Sequence, residues 1–196
     1  MKHLYFVRHA EPDHSWKDDR TRPLSPAGLS DRGEVTRALH GIAIDRFVSS
    51  PYKRTMDTIR ESADEHSIQI VTDERLRERQ CGVIPNTREM LHKRWQDFDF
   101  HEVGGESLRT TQRHNIEAVH ELLKTGCDSE SIVVGTHGTA LSTILNHHDS
   151  AYRFENYWRM IDFMPYIIRL DFEGAVCIGR EEILIVEKPY DVHGMP

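Results

Sequence analysis

The stretch Leu4-Tyr5-Phe6-Val7-Arg8-His9-Ala10-Glu11 decides the fold. Four apolar residues rich in β-formers run straight into an arginine and a histidine, the pattern of a buried strand whose last residues emerge at its carboxyl end. In open α/β sheets that end is where ligands bind. An Arg-His pair delivered there sets a fixed cation beside an imidazole. The ligand it suits best is a phosphate, whose oxygens a guanidinium matches bidentately.

The same logic returns twice. Ile132-Val133-Val134 runs into Gly135-Thr136-His137-Gly138-Thr139, a second β-rich run that ends in a histidine, and Leu141, Ile144 and Leu145 then start a helix. Phe47-Val48 makes a short strand leading into Ser49-Ser50-Pro51-Tyr52-Lys53-Arg54-Thr55, where Ser50 can cap a helix and Pro51 can open it. Arg54 then falls in the first turn, where free backbone N–H groups and the helix dipole favour an anion.

Between these deliveries the chain alternates strand and helix. Ser25-Pro26 starts a helix carrying Val35, Ala38, Leu39 and Ile42; Ile68 to Val71 is a further strand; a long helix runs from Glu106, with Ile116, Val119, His120 and Leu123 on one face, and stops at Gly126. The polar stretch from Glu11 to Arg22, with Pro12 and Asp18-Asp19, is a loop at the site edge. The charge run from Asp73 to Arg79 reads as a solvated turn. Residues 82–105, with Pro85, Trp95, Phe98 and Phe100 but no clean period, are expected to be a lid or binding loop. Tyr166 to Phe172 and Ile183 to Val186 read as strands at the sheet edge, without chemistry.

Composition narrows the function. At 196 residues the chain suits one domain, 1–196, able to bury roughly 70% of its unfolded surface. With 25 Lys plus Arg against 32 Asp plus Glu the formal charge is −7, and no basic block stands out, which argues against nucleic-acid or anionic-membrane binding. A phosphate ligand then needs a local positive pocket. Three scattered cysteines, Cys81, Cys127 and Cys177, fit reduced thiols better than a disulfide framework, and no apolar run reaches the roughly 20 residues of a membrane span. The expectation is a soluble cytoplasmic protein, and an edge-strand homodimer is compatible with such a sheet.

With Arg8-His9 after a strand, Ser49-Ser50-Pro51 leading to Arg54-Thr55, Leu76-Arg77-Glu78 before Gly82, and Thr136-His137-Gly138, the sequence resembles the histidine phosphatase superfamily, which includes the cofactor-dependent phosphoglycerate mutases. The resemblance spans residues 3 to about 145 in the family's motif order. It implies a three-layer α/β/α sandwich around a mostly parallel sheet. It also implies that His9 attacks phosphorus and becomes a phosphohistidine, and that His137, Arg8 and Arg54 hold the equatorial oxygens. Glu78 would be the general acid, which requires it to carry a proton by partial burial or beside another carboxylate. Ser15, six positions after His9 where many members have asparagine, and Gly138 would join the substrate-binding set. Three departures stand out: Ser15 itself, Ala10 in place of a common glycine, and Val83-Ile84-Pro85 in place of a Trp-Glu-Gly. They leave the catalytic set intact and the substrate open.

The implied activity is a histidine acid phosphatase-type phosphomonoesterase on a small phosphorylated substrate, with no metal and no cofactor. Three readings compete with it. A mutase would return the phosphoryl group to a second hydroxyl, but the chain lacks the longer cationic inserts expected of true mutases. A non-catalytic phospho-ligand binder would have no need of Glu78 as proton donor. A metal hydrolase is disfavoured because the 13 histidines, His147-His148 included, show no metal-ligand spacing. Cys81 lies in no Cys-x5-Arg loop that would activate a thiol.

Overall fold

A computed structural model describes residues 1–188. Six strands, β1 (Lys2–Arg8), β2 (Arg46–Ser49), β3 (Ile70–Thr72), β4 (Glu130–Thr136), β5 (Phe163–Glu173) and β6 (Val176–Glu187), form one sheet in the order β3-β2-β4-β1-β5-β6. The first four of that order pair parallel; β5 and β6 add as an antiparallel hairpin beside β1. The helices are α1 (Pro26–Leu39), α2 (Lys53–Glu65), α3 (Arg88–Gln96), α4 (Leu108–Lys124), α5 (Gly138–His148) and α6 (Phe154–Met160).

Three layers follow from strand alternation, because successive side chains face opposite sides of a sheet. Leu4 and Phe6 of β1 pack with Val119, Leu141 and Ile144 of α4 and α5, while Tyr5 and Val7 pack with Val35, Leu39 and Ile59 of α1 and α2. A strand buried on both faces has to be apolar throughout its middle, as β1 and β4 are.

Several sequence expectations shift. The chain from 82 to 105 is not irregular throughout: Thr87 accepts from Met90 N and caps α3, whose buried residues are Leu91 and Arg94. Helix α2 starts at Lys53, with Tyr52 as N-cap, rather than at Pro51, and Arg54 stays in its first turn. The charge run after Asp73 is not simply solvated, since Leu76 is fully buried and Arg79 is buried too. Strand β5 lies inside the sheet, leaving only β6 at that edge.

Candidate active site

Register brings the three deliveries together. Arg8 pairs with Thr136 and Ser49 with Gly135, so β1, β4 and β2 finish level. His9 N then donates to Thr136 O at 3.1 Å and Ser50 N to Gly135 O at 2.9 Å, which carries the ladder one step past the strands. The imidazoles of His9 and His137 end up with ring centroids 5.4 Å apart, at 70° to one another.

His9 is held in one tautomer by its neighbour. His9 Nδ1 lies 2.7 Å from the carbonyl oxygen of Ala10; a carbonyl can only accept, so Nδ1 carries the proton and Nε2 the lone pair. Burial, and after it the Arg54 and Arg8 guanidinia, push the His9 pKa well below its ordinary value. Burial likewise pushes down His137, with Arg54, His9 and Arg8 adding to it. Both imidazoles are therefore neutral at pH 7.

His137 Nε2 lies 2.8 Å from Ser50 Oγ, and its Nδ1 is buried with no hydrogen-bond partner among the described residues. The serine read as a helix cap thus serves the histidine from the neighbouring strand. Tyr52 packs its ring edge against His137 at 5.0 Å and its face under Arg54 at 4.9 Å. It spaces the two groups.

Arg8 is buried, its guanidinium donating to the carbonyls of Met160 and Ile161 at the end of α6 and lying against Gly138. A Cβ at Gly138 would stand 3.2 Å from Arg8 Nε, so glycine there keeps the contact close. Arg54 is 4% exposed.

Glu78 is half-buried, and what surrounds its carboxylate is backbone N–H: Thr139 N to Oε2 at 3.0 Å, Ala140 N to Oε1 at 3.0 Å and Arg79 N to Oε1 at 2.8 Å. The first two belong to the opening turn of α5. Of roughly four lone-pair sites on a carboxylate, three are filled and one on Oε2 is left open.

Ser15 lies in the loop that follows β1. It is exposed, and its hydroxyl donates to Asp13 Oδ1 at 2.6 Å. Ala10 is fully buried; Ser67 is the one non-glycine residue with positive φ among those described, so alanine after His9 is unstrained. Residues the sequence reading did not place here include Ser50, Tyr52, Asp19 and Arg22. Of these, Ser50 carried a signal in the Ser49-Ser50-Pro51 run, and Tyr52 lies two residues before Arg54.

The model of the histidine phosphatase superfamily (branch 1) matches residues 4–176. The chain belongs to this superfamily. Within it, the protein called "Probable phosphoglycerate mutase GpmB" of Yersinia pestis (strain Pestoides F) is 30% identical over 162 residues, 74% of each chain. Among solved structures, YhfR of Bacillus stearothermophilus superposes with a TM-score of 0.73 at 20% identity, covering 90% of this chain and 94% of its own. Mycobacterial glucosyl-3-phosphoglycerate phosphatase with inorganic phosphate superposes with a TM-score of 0.73 at 18% identity, covering 96% and 98%. The superfamily holds phosphatases and mutases, and these structures share its mixed sheet flanked by helices.

Proposed function

We propose that this protein hydrolyses phosphomonoesters without a metal, through a phosphohistidine on His9. The observation that carries the proposal is the His9 tautomer: a neutral imidazole, proton fixed on Nδ1, with Nε2 as a free nucleophile among buried guanidinia. Phosphoryl transfer asks for in-line positioning and spread-out positive charge, which Arg8 and Arg54 supply.

Nε2 of His9 bonds to phosphorus as the P–O ester bond breaks, and the leaving alkoxide takes a proton from Glu78. Water then attacks the phosphohistidine, gives its proton to Glu78, and releases phosphate as the P–N bond breaks. His137, with Ser50 donating to Nε2, presents Nδ1–H to a phosphate oxygen. Gly138 lets Arg8 lie close. Residues 82–105 serve as the cover over the site, tied down by the bond from Arg79 to Glu102.

Turnover of p-nitrophenyl phosphate in EDTA, wild type beside His9→Ala, with mass spectrometry at neutral pH, tests this. Activity that vanishes with His9, and phosphate trapped on that residue, is the expected result. Turnover that needs zinc, or survives in His9→Ala, overturns it. Incubation with 3-phosphoglycerate separates hydrolysis, which releases phosphate, from mutase action, which yields the 2-isomer.

A further inference from the structure

One carboxylate stands in the mouth of the cationic group. Arg54 Nη1 donates to the backbone oxygen of Asp19 at 2.6 Å and lies 3.2 Å from its Oδ1. The same Oδ1 takes Arg22 Nη1 at 2.8 Å. Asp19 is half exposed, whereas Arg54 is buried, so the acid sits on the solvent side of the guanidinium.

Asp19 is held there by its neighbours. Lys53 N at the start of α2 donates to Arg20 O at 3.0 Å, and the Arg20 guanidinium forks onto Glu74 at 2.8 and 2.6 Å. Arg22 Nε donates to Trp16 O at 3.2 Å. The loop is thereby fastened on both sides of residue 19.

Charge around the pocket can be counted by element. Arg8, Arg22 and Arg54 are positive, His9 and His137 are neutral, and Asp19 and Glu78 are negative, which leaves one net positive charge. Arg77 is spent on Glu106 and Arg20 on Glu74. A phosphate monoester arriving with one proton brings the balance to zero, whether that proton stays on phosphate or passes to Glu78. A second anionic group on the alcohol is then uncompensated, beside a carboxylate that already faces the opening.

Resting on the proposed phosphatase reading, we infer that Asp19 is a specificity-determining residue. It selects phosphomonoesters whose alcohol is uncharged or carries an ammonium, and it disfavours those with a carboxylate or second phosphate near the ester. This separates the chain from enzymes that act on phosphoglycerate.

The test is binding, measured by calorimetry in full-length His9→Ala so that no ester is consumed. The probes are glycerol 2-phosphate, O-phosphoethanolamine and 3-phosphoglycerate. With Asp19 present, 3-phosphoglycerate binds about tenfold or more weakly than the other two. Adding Asp19→Asn closes that gap by about tenfold, while Asp19→Glu, which keeps the charge, preserves it. Tighter binding of all three by the same factor in Asp19→Asn would make the residue a plain competitor for Arg54 and overturn the inference, as would an unchanged gap. Absence of turnover in the wild type would count against the phosphatase reading alone, since these affinities are read without catalysis.

Discussion

Ser50 Oγ and His137 Nε2 lie 2.8 Å apart, and both residues are wholly buried. A buried imidazole whose partner is a rotatable hydroxyl has one nitrogen fixed by the protein and the other left for something else. In the proposed mechanism Ser50 donates to Nε2, so Ser50→Ala removes the donor that keeps Nδ1 protonated. Turnover should fall about tenfold or more, and inhibition by vanadate should weaken alongside it, with a stability loss of about 1–2 kcal/mol. Unaltered vanadate inhibition would mean that His137 does not depend on Ser50.

Glu78→Gln separates leaving groups. An alkyl phosphate needs its alkoxide protonated, so its turnover should drop by about 100-fold or more; p-nitrophenolate leaves unaided and should be hit far less. Equal small losses for both would remove the acid role.

Acid should destabilise the fold through its buried histidines. The folded-state pKa values of His9 and His137 lie well below the ordinary 6.5, so below that pH the unfolded chain binds protons that the folded one refuses. Their contribution is fully present above about 6.5 and is lost as pH falls, at up to about 1.4 kcal/mol per pH unit for each ring. Urea midpoints from pH 7.5 to 5 should show it. His9→Gln should flatten the slope, and an unchanged slope would show that His9 titrates freely.

Glu102 has a fully buried side chain bonded to Arg94, with Arg79 as a second partner at 3.1 Å. Burial raises its pKa, but backbone hydrogen bonding and the two guanidinia outweigh that and hold it at about 2. Glu102→Gln would leave two guanidinia without their counter-charge, at a cost of about 3–5 kcal/mol. A denaturation midpoint within error of wild type would show that the cluster relaxes.

Much of the fold was legible because strand ends announce themselves: Arg8-His9 and Thr136-His137 each follow a run of apolar residues, and parallel pairing sets such ends side by side. Helices α1 and α4 were readable from their apolar period. Helix α3 was not, since one of its two buried residues is Arg94, a charge where periodicity looks for an apolar side chain. Helix α6, at seven residues, is too short to show a period. Ser50 was read locally as a cap because its partner lies 87 residues away. Arg79 was read as solvated because its burial depends on Glu102, 23 residues on. The last two of these rest on contacts distant in sequence.

The grip on Arg8 has a consequence for the order in which the molecule becomes competent. Once the growing chain has passed Gly138, it contains every side chain of the candidate site. It does not yet contain the two carbonyls, from Met160 and Ile161, that hold the Arg8 guanidinium, nor the strand β5 that pairs along β1. A nascent chain at that length has the chemistry in composition and not in geometry. The last quarter of the described chain, which bears no reacting group, thus sets when the first residues can begin to work.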